Sequence, residues 1–320
     1  MKKLFVLTKN TFKDTIRQPI YAIIIIIALI LLILSPSITM YTLDEDSKLL
    51  RELGLSTLFL ASLFIAIFSA SGTVAEEIES KTIETVLSKP IQRPIFIIAK
   101  FLGVALAVCL AHFICTIALL MAIRHGVLES VNDTHDWTVL TAAGVSIIAA
   151  FLLSALLNYI YDWKFTSTAV VLLAIFAFLS ITFLFFIDKD WNFFPARNGL
   201  NALDCFGAVL LLPAAMIIAA LAVTFSTRLN TAACLACCIG VFLLGITSDY
   251  AFGRLADNHI WAKALYFIIP NLQIFWVSDA IHEGSKLTFR YIAMAGSYSL
   301  CYTAAVLFVA IALFQRRQIG

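Results

Sequence analysis

The feature that most constrains this chain is a recurring apolar run about as long as a bilayer core is thick. Eight such runs are read, at approximately 20–40, 54–73, 95–123, 138–158, 166–187, 204–225, 230–248 and 289–314. A helix needs about 20 apolar residues to cross the hydrocarbon core. Lipid offers no hydrogen bonds to the backbone, so spanning segments of this kind must be helices. Composition agrees: 62% of the residues are hydrophobic and 13% charged, whereas a soluble domain is about half apolar and a quarter charged. The expected fold class is therefore all-α, polytopic and integral to the membrane, with about eight transmembrane helices in one domain over 1–320. A water-soluble fold is excluded. A net charge of only +2 gives no reason to expect a nucleic-acid partner. The seven cysteines lie in or beside apolar runs and do not form a disulfide framework.

The polar ends and loops add detail. Residues 1–19 read as an interfacial helix, with Leu4, Phe5, Phe12 and Ile16 on one side and Lys9, Lys13 and Arg17 on another. An apolar face beside a basic one suits the headgroup layer of anionic lipid. Pro19 ends the segment before the first span. Segment 264–284 is short and interrupted at Pro270-Asn271, and reads as a re-entrant hairpin on the outer side. Basic residues cluster in alternate connections, among them Lys81, Lys89, Arg93, Lys164, Arg228 and Arg316. The positive-inside rule then places both termini in the cytoplasm.

The most informative polar stretch is 76–94, between the second and third spans. Ile78, Ile83, Val86 and Leu87 are spaced as on one face of a short helix, which Pro90 and Pro94 stop. Such a helix at the membrane surface can dock on a partner and pass motion to both flanking spans. On spacing alone, a charged loop with one helical turn fits equally well.

Glu77, Thr82, Val86, Leu87, Ser88, Pro90, Ile91, Arg93, Phe96 and Lys100 together form a pattern that resembles the cytoplasmic loop of ABC transporter type 2 permeases. Lys81 stands where those permeases often carry Gly. The turn Phe225–Thr231 resembles the family's second cytoplasmic turn. The stretch 266–284 resembles its outer hairpin, 314–317 its ending and 1–19 its elbow helix. The nearest subgroup is similar to the permeases of nitrous-oxide-reductase maturation and of gliding-motility transporters. The family's usual six spans are exceeded here by a helix pair within 138–187.

The resemblance implies an ABCG-like, type V exporter architecture in the bacterial inner membrane. It implies a second permease chain, as a homodimer or heterodimer, and a separate ABC ATP-binding subunit carrying ATP and Mg. This chain has no phosphate-binding loop of its own. It is thus expected to bind no cofactor and to act as a transport subunit rather than an enzyme, surrounded by membrane lipid. Glu77, Glu79, Thr82, Glu84 and Leu87, with Ser226, Thr227, Arg228 and Asn230, are the expected coupling or ATPase-docking positions. Pro90, Arg93 and Lys100 are expected to anchor the loop, the two cations reaching toward lipid phosphates. The alternatives that remain open are an integral-membrane lipid-processing enzyme and a non-translocating membrane scaffold.

Three further groups stand out. Cys234, Cys237 and Cys238 fit close helix packing better than a soft-metal site. His112 is expected to be neutral and bonded to a neighbouring helix. Asp204 is expected to be solvated at the outer end of its span.

Overall fold

The computed structural model describes residues 2–40, 46–75, 92–128, 133–195, 198–256, 259–283 and 288–316. The described residues are almost wholly helical. In chain order they form α1 (Lys2–Arg17), α2 (Pro19–Thr39), α3 (Asp46–Ala70, continued by a π-turn at Ser71–Ala75) and α4 (Arg93–His125). Then come α5 (Trp137–Tyr161), α6 (Phe165–Phe185), α7 (Ala202–Ser226) and α8 (Thr231–Ile246). After a second π-turn at Asp249–Gly253 follow α9 (Arg254–Ala256), α10 (Ile260–Ile268), a 3₁₀ turn at Gln273–Phe275, α11 (Ser278–His282) and α12 (Phe289–Gln315).

Seven of these helices are long and apolar enough to cross a membrane: α2, α3 with its π-turn, and α4, α5, α6, α7 and α12. The expected seventh span, 230–248, is different. Its helix α8 has 16 residues, which at 1.5 Å each falls short of a hydrocarbon core of about 30 Å. It then bends by 63° into Asp249–Ala256. The bend falls where Thr247, Ser248 and Asp249 interrupt the apolar run. The segment expected as a hairpin is a second bent pair, Ile260–Ile268 and Gln273–His282, at 50°. If each bent pair is one span, the count rises to nine.

The core is a trio of α3, α4 and α7, the most buried helices of the bundle. Its central residues include Leu58, Ile65, Val104, Val108, Ile217 and Ile218. Helix α2 packs on α3 and α4, and α12 on α7. The pair α5–α6 stands to one side, against α4 and α1. Between apolar faces in lipid there is little hydrophobic drive to associate, so small and hydroxylated residues do much of the joining. Tyr21 of α2 donates to the Ala107 carbonyl of α4 at 2.8 Å. Ser299 of α12 donates to the Pro213 carbonyl of α7 at 2.7 Å. Ser146 and Ser180 bond across the α5–α6 seam, where Ser180 also donates to Ala142 O at 3.1 Å.

Helix α1 lies across the start of α4 and turns only part of its apolar side, Phe12 and Ile16, to the bundle. Thr8, Thr11, Thr15 and Ile16 are buried, while Phe5 is 69% exposed. The crossing is close because α4 carries Gly103 there. A Cβ at that position would lie 2.5 Å from Thr11 Cβ and 3.0 Å from the Phe12 backbone nitrogen. Small threonines and a glycine let the two backbones approach, and Phe5 and Val6 are left facing outward.

Candidate functional site

The expected docking segments leave the bundle at the end that carries α1. Here α4 begins at Arg93, the α7–α8 turn runs over 226–230, and α12 ends at Gln315. The last carbonyls of a helix have no partner within it, and that end carries partial negative charge. Two guanidiniums meet this need. Arg93 Nη1 donates to Gln315 O at 2.6 Å, and Arg228 Nη2 donates to Leu313 O at 2.7 Å. One layer further in, Phe96 of α4 stacks on Phe314 of α12 with centroids 5.5 Å apart. Both connections are thereby tied to the last turns of α12.

Lys100 departs from its expected role. It is 5% exposed, with Nζ 5.5 Å from the centroid of the Phe96 ring. One turn after Phe96 on α4, it folds back over that ring as part of the α4–α12 contact. It does not extend outward toward lipid phosphates.

The α7–α8 turn divides the four residues expected to dock a partner. Arg228 and Asn230 are exposed, and Asn230 Oδ1 caps α8 by accepting from Ala233 N at 3.0 Å. Ser226 and Thr227 are buried and present no surface to a partner. Their hydroxyls donate to the carbonyls of Ala222 and Thr224, each at 2.7 Å. Both hydroxyls back-bond to carbonyls of the preceding turn, where Thr224 O also accepts from Thr227 N at 3.2 Å. Glu77, Glu79, Thr82, Glu84, Leu87 and Pro90 lie outside the described residues.

A cavity of about 590 Å³ opens at the same end, lined by Gln18, Pro19, Ile20, Phe68, Gly72 and Thr231 among others. It sits between the start of α2, the π-turn that ends α3 and the start of α8. Gly72 leaves room for Gln18, whose Nε2 would lie 2.5 Å from a Cβ there. π-turns within helices occur often at functional sites.

Away from this end, the structure pairs buried polar groups that the sequence pattern did not connect. His112 joins the central trio: Nε2 donates to Ala208 O of α7 at 2.9 Å, and Nδ1 lies 2.9 Å from Ser62 Oγ of α3, whose hydroxyl is shared with Leu58 O. Its partners lie on neighbouring helices, as expected. Asp204 is 3% exposed rather than solvated, and accepts from Arg51 Nε of α3 at 2.8 Å. At the far end of the bundle, Arg124 of α4 reaches Asp136 at 3.2 Å, Thr138 at 3.0 Å and the carbonyls of Leu184 and Ile187. It thereby fastens both helices of the α5–α6 pair to α4.

The bent pairs have their own network. Asp249 Oδ1 accepts from Tyr266 at 2.7 Å and Asn271 Nδ2 at 2.9 Å, while Tyr298 of α12 accepts from Asn271 N at 2.9 Å. Asn271 is thus the residue that holds the break between α10 and α11.

Two of the three clustered cysteines are packed inside the bundle. Cys234 and Cys238 are buried and Cys237 is exposed, all three as free thiols. Cys234 Sγ lies 3.4 Å from Ser226 Oγ, joining α8 to α7. Among the described residues, no three His, Cys, Asp or Glu side chains converge as a metal site.

These helices define a multi-pass α-helical membrane protein. In comparisons with known protein families and with curated proteins, nothing matches this chain.

Proposed function

We propose that this chain is the membrane-spanning permease subunit of an ATP-driven ABC transporter, of the type 2 permease kind and with ABCG-like architecture. In this reading it pairs with a second permease chain and works as an exporter in the bacterial inner membrane. Both termini are cytoplasmic, and a separate ATPase subunit binds ATP and Mg. The α1 end is the face that receives the ATPase.

One observation carries the reading. Arg93, at the end of the loop resembling a coupling helix, and Arg228, in the second turn, both bond the final turn of α12. A push on either connection therefore reaches α4, α7 and α12 together. Nucleotide-driven closure of a partner beneath this face would act on one mechanical unit, shifting a two-state equilibrium of the bundle. The π-turn ending α3 and the cavity beside it lie next to that unit.

The test is isolation of the tagged chain from its native membrane in mild detergent, with mass spectrometry of what accompanies it. An ABC-type ATPase is expected with the native chain and is lost from a folded Leu87→Asp variant. Recovery without any ATPase, under conditions that keep a known ABC complex intact, would overturn the proposal.

A further inference from the structure

A second cavity, of about 320 Å³, lies between α1 and the α5–α6 pair. Its chemistry is layered. Lys13 and Arg17, one turn apart on α1, line one part together with Trp163 and the first-turn hydroxyls of Ser167 and Thr168. The rest is apolar, with Val171 and Ile175 following Ser167 at successive turns of α6 and Leu157 opposite on α5. From residue 167 to residue 175 a helix rises about 12 Å, so the apolar part runs on from the polar part along a single track. Val171 and Ile175 are exposed, which leaves the track open on its side.

We infer that this cavity binds one anionic phospholipid, its phosphate held by Lys13 and Arg17 and an acyl chain lying along α6 over Val171 and Ile175. Charge complementarity selects the headgroup. Neither cation forms an ion pair among the described residues, and neither Asp14, next to Lys13 in sequence, nor Asp162, next to Trp163, lines the cavity. Basic pockets at the ends of transmembrane helices favour acidic lipid headgroups. Trp163 supplies an indole N–H beside an apolar ring, the form that suits a headgroup boundary. Ser167 and Thr168 donate to the Lys164 carbonyl at 3.1 and 3.0 Å. Their free lone pairs can still accept from headgroup hydroxyls, as those of phosphatidylglycerol. The continuous apolar track distinguishes a lipid from free phosphate, which would use only the cationic part. A lipid seated here joins α1 to the peripheral pair and does not depend on the permease reading.

The experiment is native mass spectrometry of the full chain in non-ionic detergent, titrated separately with dioleoyl-phosphatidylglycerol and dioleoyl-phosphatidylcholine. The native chain should retain phosphatidylglycerol at least tenfold better than phosphatidylcholine. The double variant Lys13→Gln/Arg17→Gln should lose that preference, whereas Lys9→Gln, on the same helix but outside the cavity, should keep it. Val171→Trp leaves both cations in place and fills the track, so it should also lose the lipid, and it decides the matter if the double variant does not fold. Equal retention of the two lipids, an equal loss in Lys9→Gln, or full displacement by millimolar inorganic phosphate would each overturn the inference.

Discussion

Replacing Asp136 with Ala should be among the most damaging single changes in this chain, and also removing Arg124 should restore part of the loss. The pair is buried, with side chains 2% and 4% exposed and a separation of 3.2 Å. At an effective dielectric near 20, the direct attraction at that distance is about 5 kcal/mol before desolvation is counted. Asp136 also caps α5, accepting from Val139 N at 3.1 Å. Its loss strands a buried guanidinium, which costs about 3–5 kcal/mol, and removes a helix cap, which costs about 1 kcal/mol. The expected destabilisation of Asp136→Ala is thus about 4–6 kcal/mol. In Arg124→Met/Asp136→Ala neither charge of the pair remains. The cost falls to about 2–3 kcal/mol, for the cap and for the Leu184 and Ile187 carbonyls that lose their donor. Equilibrium unfolding by sodium dodecyl sulfate in lipid bicelles, followed by tryptophan fluorescence, measures both values. The reasoning is refuted if the double variant is as unstable as Asp136→Ala, or if Asp136→Ala lies within about 1 kcal/mol of the native chain, well below the loss expected for a broken buried pair.

Other sites give further expectations. Gly103→Leu should push α1 off α4 at a cost of about 1–3 kcal/mol, as overpacking does, seen as faster proteolysis within residues 2–17 while the rest of the chain stays intact. His112→Leu removes two buried hydrogen bonds that link α4 to α3 and α7, while Ser62 keeps its bond to Leu58 O at 2.9 Å, so a loss of about 1–3 kcal/mol is expected in the same bicelle assay. Asp188 accepts from the backbone N–H of Asn192 at 2.8 Å, which holds its carboxyl below the ordinary aspartate value. A depressed folded value means that its stabilisation of the 186–195 turn is present above the unfolded pKa and is lost as pH falls through the folded one. Fluorescence of Trp191, in a chain whose other four tryptophans are Phe, should therefore titrate in acid and become flat in Asp188→Asn.

How much of this was legible in the sequence depends on the physics behind each element. The long spans were legible because a hydrocarbon core demands unbroken apolar length, and runs such as 20–40 and 95–123 supply it. The break of α8 was harder to see, since Thr247 and Ser248 are tolerated inside many spans and here mark a 63° bend. The packed face of α1 was legible only in part, since Phe12 and Ile16 pack on the core while Phe5 does not. Close helix contact instead used Thr8, Thr11 and Thr15 against Gly103. Asp204 looked solvated because its partner, Arg51, lies 153 positions away, and no local pattern records such a pairing.

Within the candidate site, the cations Arg93 and Arg228 could be chosen from charge and loop position. Their shared partner could not, because backbone carbonyls at the end of α12 leave no mark in side-chain identity. The burial of Ser226 and Thr227 was hidden for a related reason. Turn hydroxyls satisfy nearby carbonyls before they are free to meet a partner.

The central claim is that the α1 end receives an ATP-binding partner. A photo-activated cross-linking residue placed singly at positions 84, 228 and 250, in cells that express the chain at its native level, tests this directly. The account predicts adducts to one ATP-binding polypeptide from positions 84 and 228, and none from position 250 in the second π-turn. Adducts to that polypeptide from position 250, or none from either 84 or 228 in correctly inserted protein, would contradict it.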